Sequence, residues 1–309
     1  MSLQQPGILR RLPPRQREAL QGYLYIAPWF IGFLIFTAGP LIASLGLSFT
    51  EWGFVDEPKF IGLANYQKMA TDPVFWIALR VTITFTLLSV PLVMLTSLSV
   101  ALLLTREVRG ARVFRTIYYL PSVIGGVPMA LLWTWVFNPD YGILNRLLAL
   151  ANLPGVDWLG NPRSALLAVV VVSAWSFGLP MVVFIAGLQN IPPVLYEAAS
   201  LDGASVFRRF RSVTLPLLSP TFFFLLVMQI IGSFQIFDVV YVISDGVGNP
   251  LRSTLMYLLY FFQNAFQRFQ MGYASALVWV LFLIIMALTL LVFKSSSLWV
   301  FYESEVTDD

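Results

Sequence analysis

Six apolar runs, at residues 25–49, 75–105, 116–137, 164–187, 220–243 and 273–295, dominate the 309-residue chain. Each reaches the roughly 17 to 25 residues that a helix needs to cross a bilayer. A bilayer core offers no partner to unpaired backbone groups, so such runs must close their hydrogen bonds internally, as helices. They are too long and too uniformly apolar to be strands of a barrel. The expected fold is all-α, a polytopic membrane protein with six transmembrane helices. Charge agrees: 11% of residues are charged, 58% are hydrophobic and mean hydropathy is +0.78, where a soluble domain carries about 25% charge.

Basic residues set the orientation. Arg10, Arg11, Arg15 and Arg17 precede the first run, Arg106, Arg109, Arg112 and Arg115 follow the second, Arg208, Arg209 and Arg211 follow the fourth, and Lys294 ends the sixth. Those twelve stand against six on the other side (Lys59, Lys68, Arg146, Arg163, Arg252 and Arg268), with Arg80 inside a run. The positive-inside rule then places both termini in the cytoplasm. The expected division is a cytoplasmic segment 1–24, a transmembrane domain 25–295 whose connection 188–219 is cytoplasmic, and a cytoplasmic tail 296–309. The first run exceeds the 7–15-residue core of a signal peptide and has no small-residue cleavage site. It is expected to be retained and bent near Gly39-Pro40, because proline removes a donor and clashes with the preceding turn. On the outer side, 253–266 (STLMYLLYFFQNAF) is expected as a short interfacial helix.

The formal charge of +3 and pI of about 9.2 do not argue for nucleic acid, since the basic residues follow membrane topology. The chain has no Cys and no His, which excludes disulfides, thiol catalysis and Cys/His metal sites. No catalytic residue, metal or cofactor of its own is expected.

The most polar long stretch is YEAASLDGASVFRRFRSVTLPL, residues 196–217, set between two runs. Pro192 and Pro193 suit the opening turn of a helix. Leu195, Ala198 and Ala199 share a face, and Asp202-Gly203 stops the helix because Gly readily takes the left-handed conformation. A second basic segment follows, with Val206, Phe207, Phe210 and Val213 opposite Arg208, Arg209 and Arg211; Pro216 and Pro220 mark the return to the membrane. The stretch reads as two short helices at an angle. A solvated loop whose arginines fix orientation and touch anionic lipid accounts for the same charges.

Glu197-Ala198-Ala199, Gly203, Val213 and Leu215-Pro216 together resemble the EAA motif of bacterial ABC importer permeases, with Val213 in the usual Ile place. The longer LYEAASLDGASVFRRFRSVTLPLLSP is similar to the carbohydrate, maltose-type branch, as are IGLANYQKM, FRTIYYLPSV, GILNRLL, AGLQNIP and FQIFDVVYVIS. SDGVGNP departs from that branch's Thr-x-Gly-Gly-Pro turn. The resemblance implies the type I importer permease fold, in a bacterial or archaeal cell (inner) membrane. It further implies a coupling helix that docks on a cytoplasmic ATPase, with Glu197, Ala198, Ala199, Asp202, Gly203, Ala204, Leu215 and Pro216 as coupling residues. The implied partners are a second permease forming a heterodimer, two ATPase subunits that use ATP and Mg, an extracytoplasmic sugar-binding protein, the sugar substrate and membrane lipid. The chain itself has only Lys59, Lys68 and Lys294, none after a Gly-rich phosphate loop, so hydrolysis falls to a partner.

Polar residues inside spans are costly and point to a path. Gln229 and Ser233 share one helix face, Gln235 and Asp238 another, and the fourth run holds Trp175 and Ser176 before Pro180. Trp175, Ser176, Gln229, Ser233 and Asp238 are the substrate-path candidates; hydrogen bonding between helices explains the same residues without a ligand. The cargo is expected to be a mono-, di- or oligosaccharide, with glycerol phosphate or another polyol as the alternative; the central spans lack the basic cavity a phosphate would want. An ion-coupled secondary transporter, a reading from another class, would show repeats and helices broken at the midplane. Neither a repeat nor a proton relay is legible in the sequence.

Overall fold

The computed structural model describes residues 14–105 and 110–301. Arg10, Arg11, Arg106, Arg109 and the tail beyond 301 lie outside the described residues. The first span comprises α1 (Pro14–Phe33), a π turn at Leu34–Ala38 and α2 (Gly39–Ser48), so the helix begins inside the segment 1–24. Where a bend was expected near Gly39-Pro40, the structure has that π turn within one continuous helical span, Ala19–Ser48. Gly39 donates to the carbonyl of Leu34, one residue further back than in an α-helix, and the widened turn accommodates the Pro40 ring.

A two-residue hairpin, β1 (Thr50–Glu51) with β2 (Lys59–Phe60), pairs Thr50 with Phe60 and Glu51 with Lys59 in antiparallel register. After α3 (Ala64–Thr71) comes α4 (Pro73–Leu104), the axis of the bundle. The Asp72 carboxylate caps it by accepting from the amide of Val74 at 2.8 Å. Ala78, Thr82, Ser89, Ser97 and Ala101 are buried along one side of α4, and such small residues let neighbouring backbones approach closely.

Three of the runs are broken, the fourth run just before Pro180, where proline favours a kink. The third run forms α5 (Ala111–Val123) and α6 (Val127–Val136), bent by 102°. Gly126 makes the elbow with φ of 74° and ψ of −140°, a conformation open essentially to glycine. After α7 (Ile143–Leu150) in the following connection, the fourth run forms α8 (Pro162–Trp175) and α9 (Gly178–Gln189), bent by 45°. The connection 190–214 holds α10 (Pro193–Leu201) and α11 (Val206–Arg209). The fifth run forms α12 (Leu215–Phe234) and α13 (Asp238–Ile243), interrupted at Gln235–Phe237 where Phe237 leaves helical geometry. Gln235 and Asp238 therefore do not share a face of one helix, which corrects the sequence expectation.

The segment 253–266 is not an exposed surface helix. Its α14 (Tyr257–Phe262) and the π turn Gln263–Gln267 are inserted between α4 and α15 (Met271–Ser296), with Leu255, Met256, Tyr257, Leu259, Tyr260 and Ala265 buried. Its polar atoms find partners inside: the Tyr257 amide donates to Thr82 Oγ1 and its hydroxyl to the Leu277 carbonyl, both at 2.8 Å. Satisfied backbone makes such depth affordable. One core joins this insert to the first half of α4; a second joins the last part of α4 to α9 and α12; a third joins α6 to α8. Pro14, Phe301 and the connection 190–214 lie at one end of the bundle, here the near end. The hairpin, α3, α7 and the 244–270 segment lie at the far end.

Candidate functional site

At the near end, α10 closes in a Schellman arrangement. Ala204 donates to Ala199 O at 2.9 Å and Gly203 to Ser200 O at 3.0 Å, and Gly203 sits at φ of 72°, as the motif requires. Ser205 then caps α11 by accepting from the amide of Arg208 at 3.3 Å. The two short helices at an angle are thus present, but the second is not a separate projection. It runs through a π turn, Phe210–Thr214, directly into α12.

Two side-chain contacts brace the elbow. The Tyr196 and Thr214 hydroxyls are hydrogen-bonded at 3.0 Å, and Arg209 donates to Ser200 Oγ at 3.4 Å. Ile191, Leu188 and Leu218 are buried beside them, with Tyr196 and Val213 packed on the same cluster. Glu197, Ala198, Asp202 and Gly203 remain exposed, and Ala199 and Ala204 are half-buried. Leu215 and Pro216 stand apart from that surface, in the first turn of α12 after the π turn. The Tyr196–Thr214 brace was not found by sequence reasoning. Its partners lie 18 positions apart, and no periodicity links them.

Deeper in the bundle the three broken spans meet around one cavity of about 270 Å3. Gly125 and Gly126 come from the α5–α6 elbow, Ser173 and Ser176 from the α8–α9 break, and Gln229, Gly232, Ser233 and Ile236 from the α12–α13 break. Ser89 of α4 completes its polar lining, and among the described residues no charged side chain contributes. The breaks are locked to one another: Ser122 Oγ donates to Ser176 O at 3.3 Å and accepts from the Leu179 amide at 3.1 Å. A Cβ on Gly178 would lie 2.4 Å from Tyr118 O, so only glycine permits this approach of α9 to α5.

Of the five path candidates, the cavity gathers Ser176, Gln229 and Ser233. The Ser233 hydroxyl is already engaged, with Thr86 Oγ1 at 2.9 Å and Ile230 O at 2.8 Å, which is the inter-helix role polar residues often serve in membranes. Trp175 does not line the cavity; it stands edge-on to Trp133 with centroids 5.7 Å apart. Asp238 also lies off the lining, its carboxylate 3.5 Å from where a Cβ of Gly126 would project. Gln235 lines a different, apolar pocket with Trp279 and Phe282.

The far end carries a polar cluster that sequence reasoning missed. Asp72 accepts from the hydroxyls of Tyr260 and, at 3.1 Å, Tyr273. Lys68 lies 4.5 Å from the centre of the Tyr273 ring and donates to Gln270 Oε1 at 2.9 Å. Burial pushes the Asp72 carboxyl up, but the hydrogen bonds from Tyr260, the Val74 amide and Tyr273 outweigh it and hold it below the ordinary carboxylate range. Beside the cluster opens a groove of about 660 Å3 whose lining includes Glu51, Asp56, Glu57, Lys59 and Lys68.

Residues 28–297 match the family described as binding-protein-dependent transport system inner membrane component. The Probable ABC transporter permease protein YesP of Bacillus subtilis (strain 168) is 47% identical over 293 residues, covering 94% of each chain. The trehalose/maltose transport system permease protein MalF of Thermococcus litoralis is 35% identical, covering 91% of this chain and 95% of its own. A chain of a bacterial alginate ABC transporter, solved in complex with an alginate pentasaccharide-bound periplasmic protein, superposes with a TM-score of 0.77. It is 24% identical and covers 91% of this chain and 95% of that one, a likeness of fold.

Proposed function

The chain belongs to the family of binding-protein-dependent transport system inner membrane components, and from that membership we propose that it forms half of the pathway of an ATP-driven sugar importer. The near end faces the cytoplasm with both termini. There α10 and the Gly203 elbow seat on an ATPase subunit, one of two, while a second permease completes the path. An extracytoplasmic binding protein delivers the sugar to the far end, whose polar groove beside Lys68 offers it a surface.

The observation that carries this reading is continuity. The braced elbow joins α9 to α12, and the break at the far end of α12 lines the same cavity as the break at the start of α9. A displacement of α10 by an ATPase therefore acts on the cavity as a rigid-body motion. ATP binding shifts the access equilibrium by as much as the ATPase prefers one permease conformation. The cavity lining of hydroxyls, an amide, glycine backbone and apolar groups, with no charge, suits a neutral sugar. The relative named for trehalose and maltose supports the same class.

Proteoliposomes holding both permeases, the ATPase and the binding protein should take up a neutral disaccharide such as trehalose only when ATP is supplied. Gln229→Leu should raise the half-saturating sugar concentration by about tenfold, the effect of roughly 1.4 kcal/mol. Uptake driven by an ion gradient without the ATPase would overturn the reading.

A further inference from the structure

Helix α7, in the far-end connection between α6 and α8, is only partly accounted for by the protein. Leu144 and Leu148 are half-buried on its inner side, and Leu144 packs with Val136, Trp158 and Leu159 on the third core. Asn145 pins the same side to the turn before α7 and the loop after it: its amide donates to Pro139 O and Val156 O at 3.0 and 2.9 Å, and its Oδ1 accepts from Trp158 Nε1 at 2.9 Å. The opposite side presents Ile143, Leu147 and Leu150, each more than half exposed. At 100° per residue these three fall within one narrow arc, with Arg146 on its polar flank.

The chain also fixes the depth of this face. A Cβ at Gly142 would lie 2.6 Å from Val136 O, so α7 begins pressed against the last turn of α6. Trp135, exposed in that last turn, marks the level at which amphipathic aromatic rings meet headgroups. The aliphatic arc itself carries no aromatic side chain, and its charged neighbour is the cation Arg146, complementary to a lipid phosphate.

We propose that α7 is an interfacial anchor, lying in the plane of the far leaflet with Ile143, Leu147 and Leu150 among the upper acyl chains and Arg146 at the phosphate level. An amphipathic helix with a basic flank binds a bilayer in this way, and the long arginine stem reaches the headgroups. Here it holds the α6–α8 connection, and so the outer ends of two spans that border the cavity, at fixed depth. The inference rests on the transmembrane reading of the chain but not on its cargo.

The natural absence of cysteine allows a direct test. Single Leu147→Cys, Leu150→Cys and Arg146→Cys variants carry a nitroxide in nanodiscs of phosphatidylethanolamine and phosphatidylglycerol, as the assembled complex. Leu87→Cys, on the exposed side of α4 in mid-span, is the control. Positions 147 and 150 should be relaxed by dissolved oxygen in preference to a water-soluble nickel chelate, as at 87, and position 146 by the chelate. Chelate access at 147 equal to that at 146 would place the face in water and overturn the proposal. Protection from both reagents would show a protein covering it, whether another subunit or the binding protein, and would overturn it equally. If Leu87 itself behaves as aqueous, the membrane reading fails instead.

Discussion

With α10 seated on an ATPase as proposed, replacing Gly203 separates what the backbone contributes to that docking from what a surface contributes. Its φ of 72° is one that L residues rarely adopt, and a non-glycine residue there costs about 1–2 kcal/mol. Nothing in the chain lies within 4 Å of where a Cβ would project, so inside the subunit an alanine carries that backbone cost and no clash. The exposed turn at Gly203 can open locally without breaking the Tyr196–Thr214 brace, which places the cost on binding. Gly203→Ala should therefore weaken ATPase binding about 5- to 30-fold, the equivalent of about 1–2 kcal/mol. Gly203→Asn should recover most of it, since a short amide tolerates the left-handed region. The assay is titration of the ATPase against the permease pair in nanodiscs, with thermal unfolding run beside it to show that both variants fold. Equal weakening by Ala and Asn, or a loss well beyond 30-fold, would mean that the partner excludes any side chain. Wild-type affinity in the alanine variant would mean that the left-handed elbow is not needed for docking.

Three further outcomes follow from the geometry. Tyr196→Phe removes the bond to Thr214, worth about 1 kcal/mol; sugar moved per ATP hydrolysed should fall while ATPase affinity stays within about twofold of wild type. Gly178→Ala forces a Cβ to within 2.4 Å of Tyr118 O and 2.7 Å of Ser122 Oγ. Overpacking of this kind costs about 1–3 kcal/mol, visible as a lowered thermal midpoint in detergent. Asp72→Asn tests the far-end cluster through pH. The folded-state pKa of Asp72 lies below the ordinary 3.8, so its stabilisation is complete above that value and is lost as pH falls through the lower, folded one. The stability gap between wild type and Asp72→Asn should be constant from pH 5 to 8 and should close as the pH drops below about 4.

The membrane class, the apolar runs and the place of the Gly203 elbow were legible in the sequence because each depends on local information. Twenty consecutive apolar residues leave a helix as the one way to satisfy the backbone in lipid. Likewise Asp202-Gly203 after an alanine-rich turn ends a helix whatever surrounds it. The glycines and prolines at 125–128 and 176–180 were equally visible, yet hydropathy treats a broken span and a whole one alike. Only tertiary structure decided that those breaks converge, with Gln235–Phe237, on one cavity, since a freed backbone is tolerated at that depth only where protein or a polar space receives it.

The insert 253–266 shows the same limit from the other side. Its composition fits an interface or an interior equally, and Thr82 and Leu277, which meet Tyr257 from far along the chain, settled the matter. Among the polar residues of the fifth run, spacing placed Gln229 and Ser233 together correctly because both sit on one unbroken helix. It failed for Gln235 and Asp238, where the helix between them ends. Periodicity carries a side chain's direction only as far as the hydrogen-bond ladder runs; beyond a break, packing alone decides where it points.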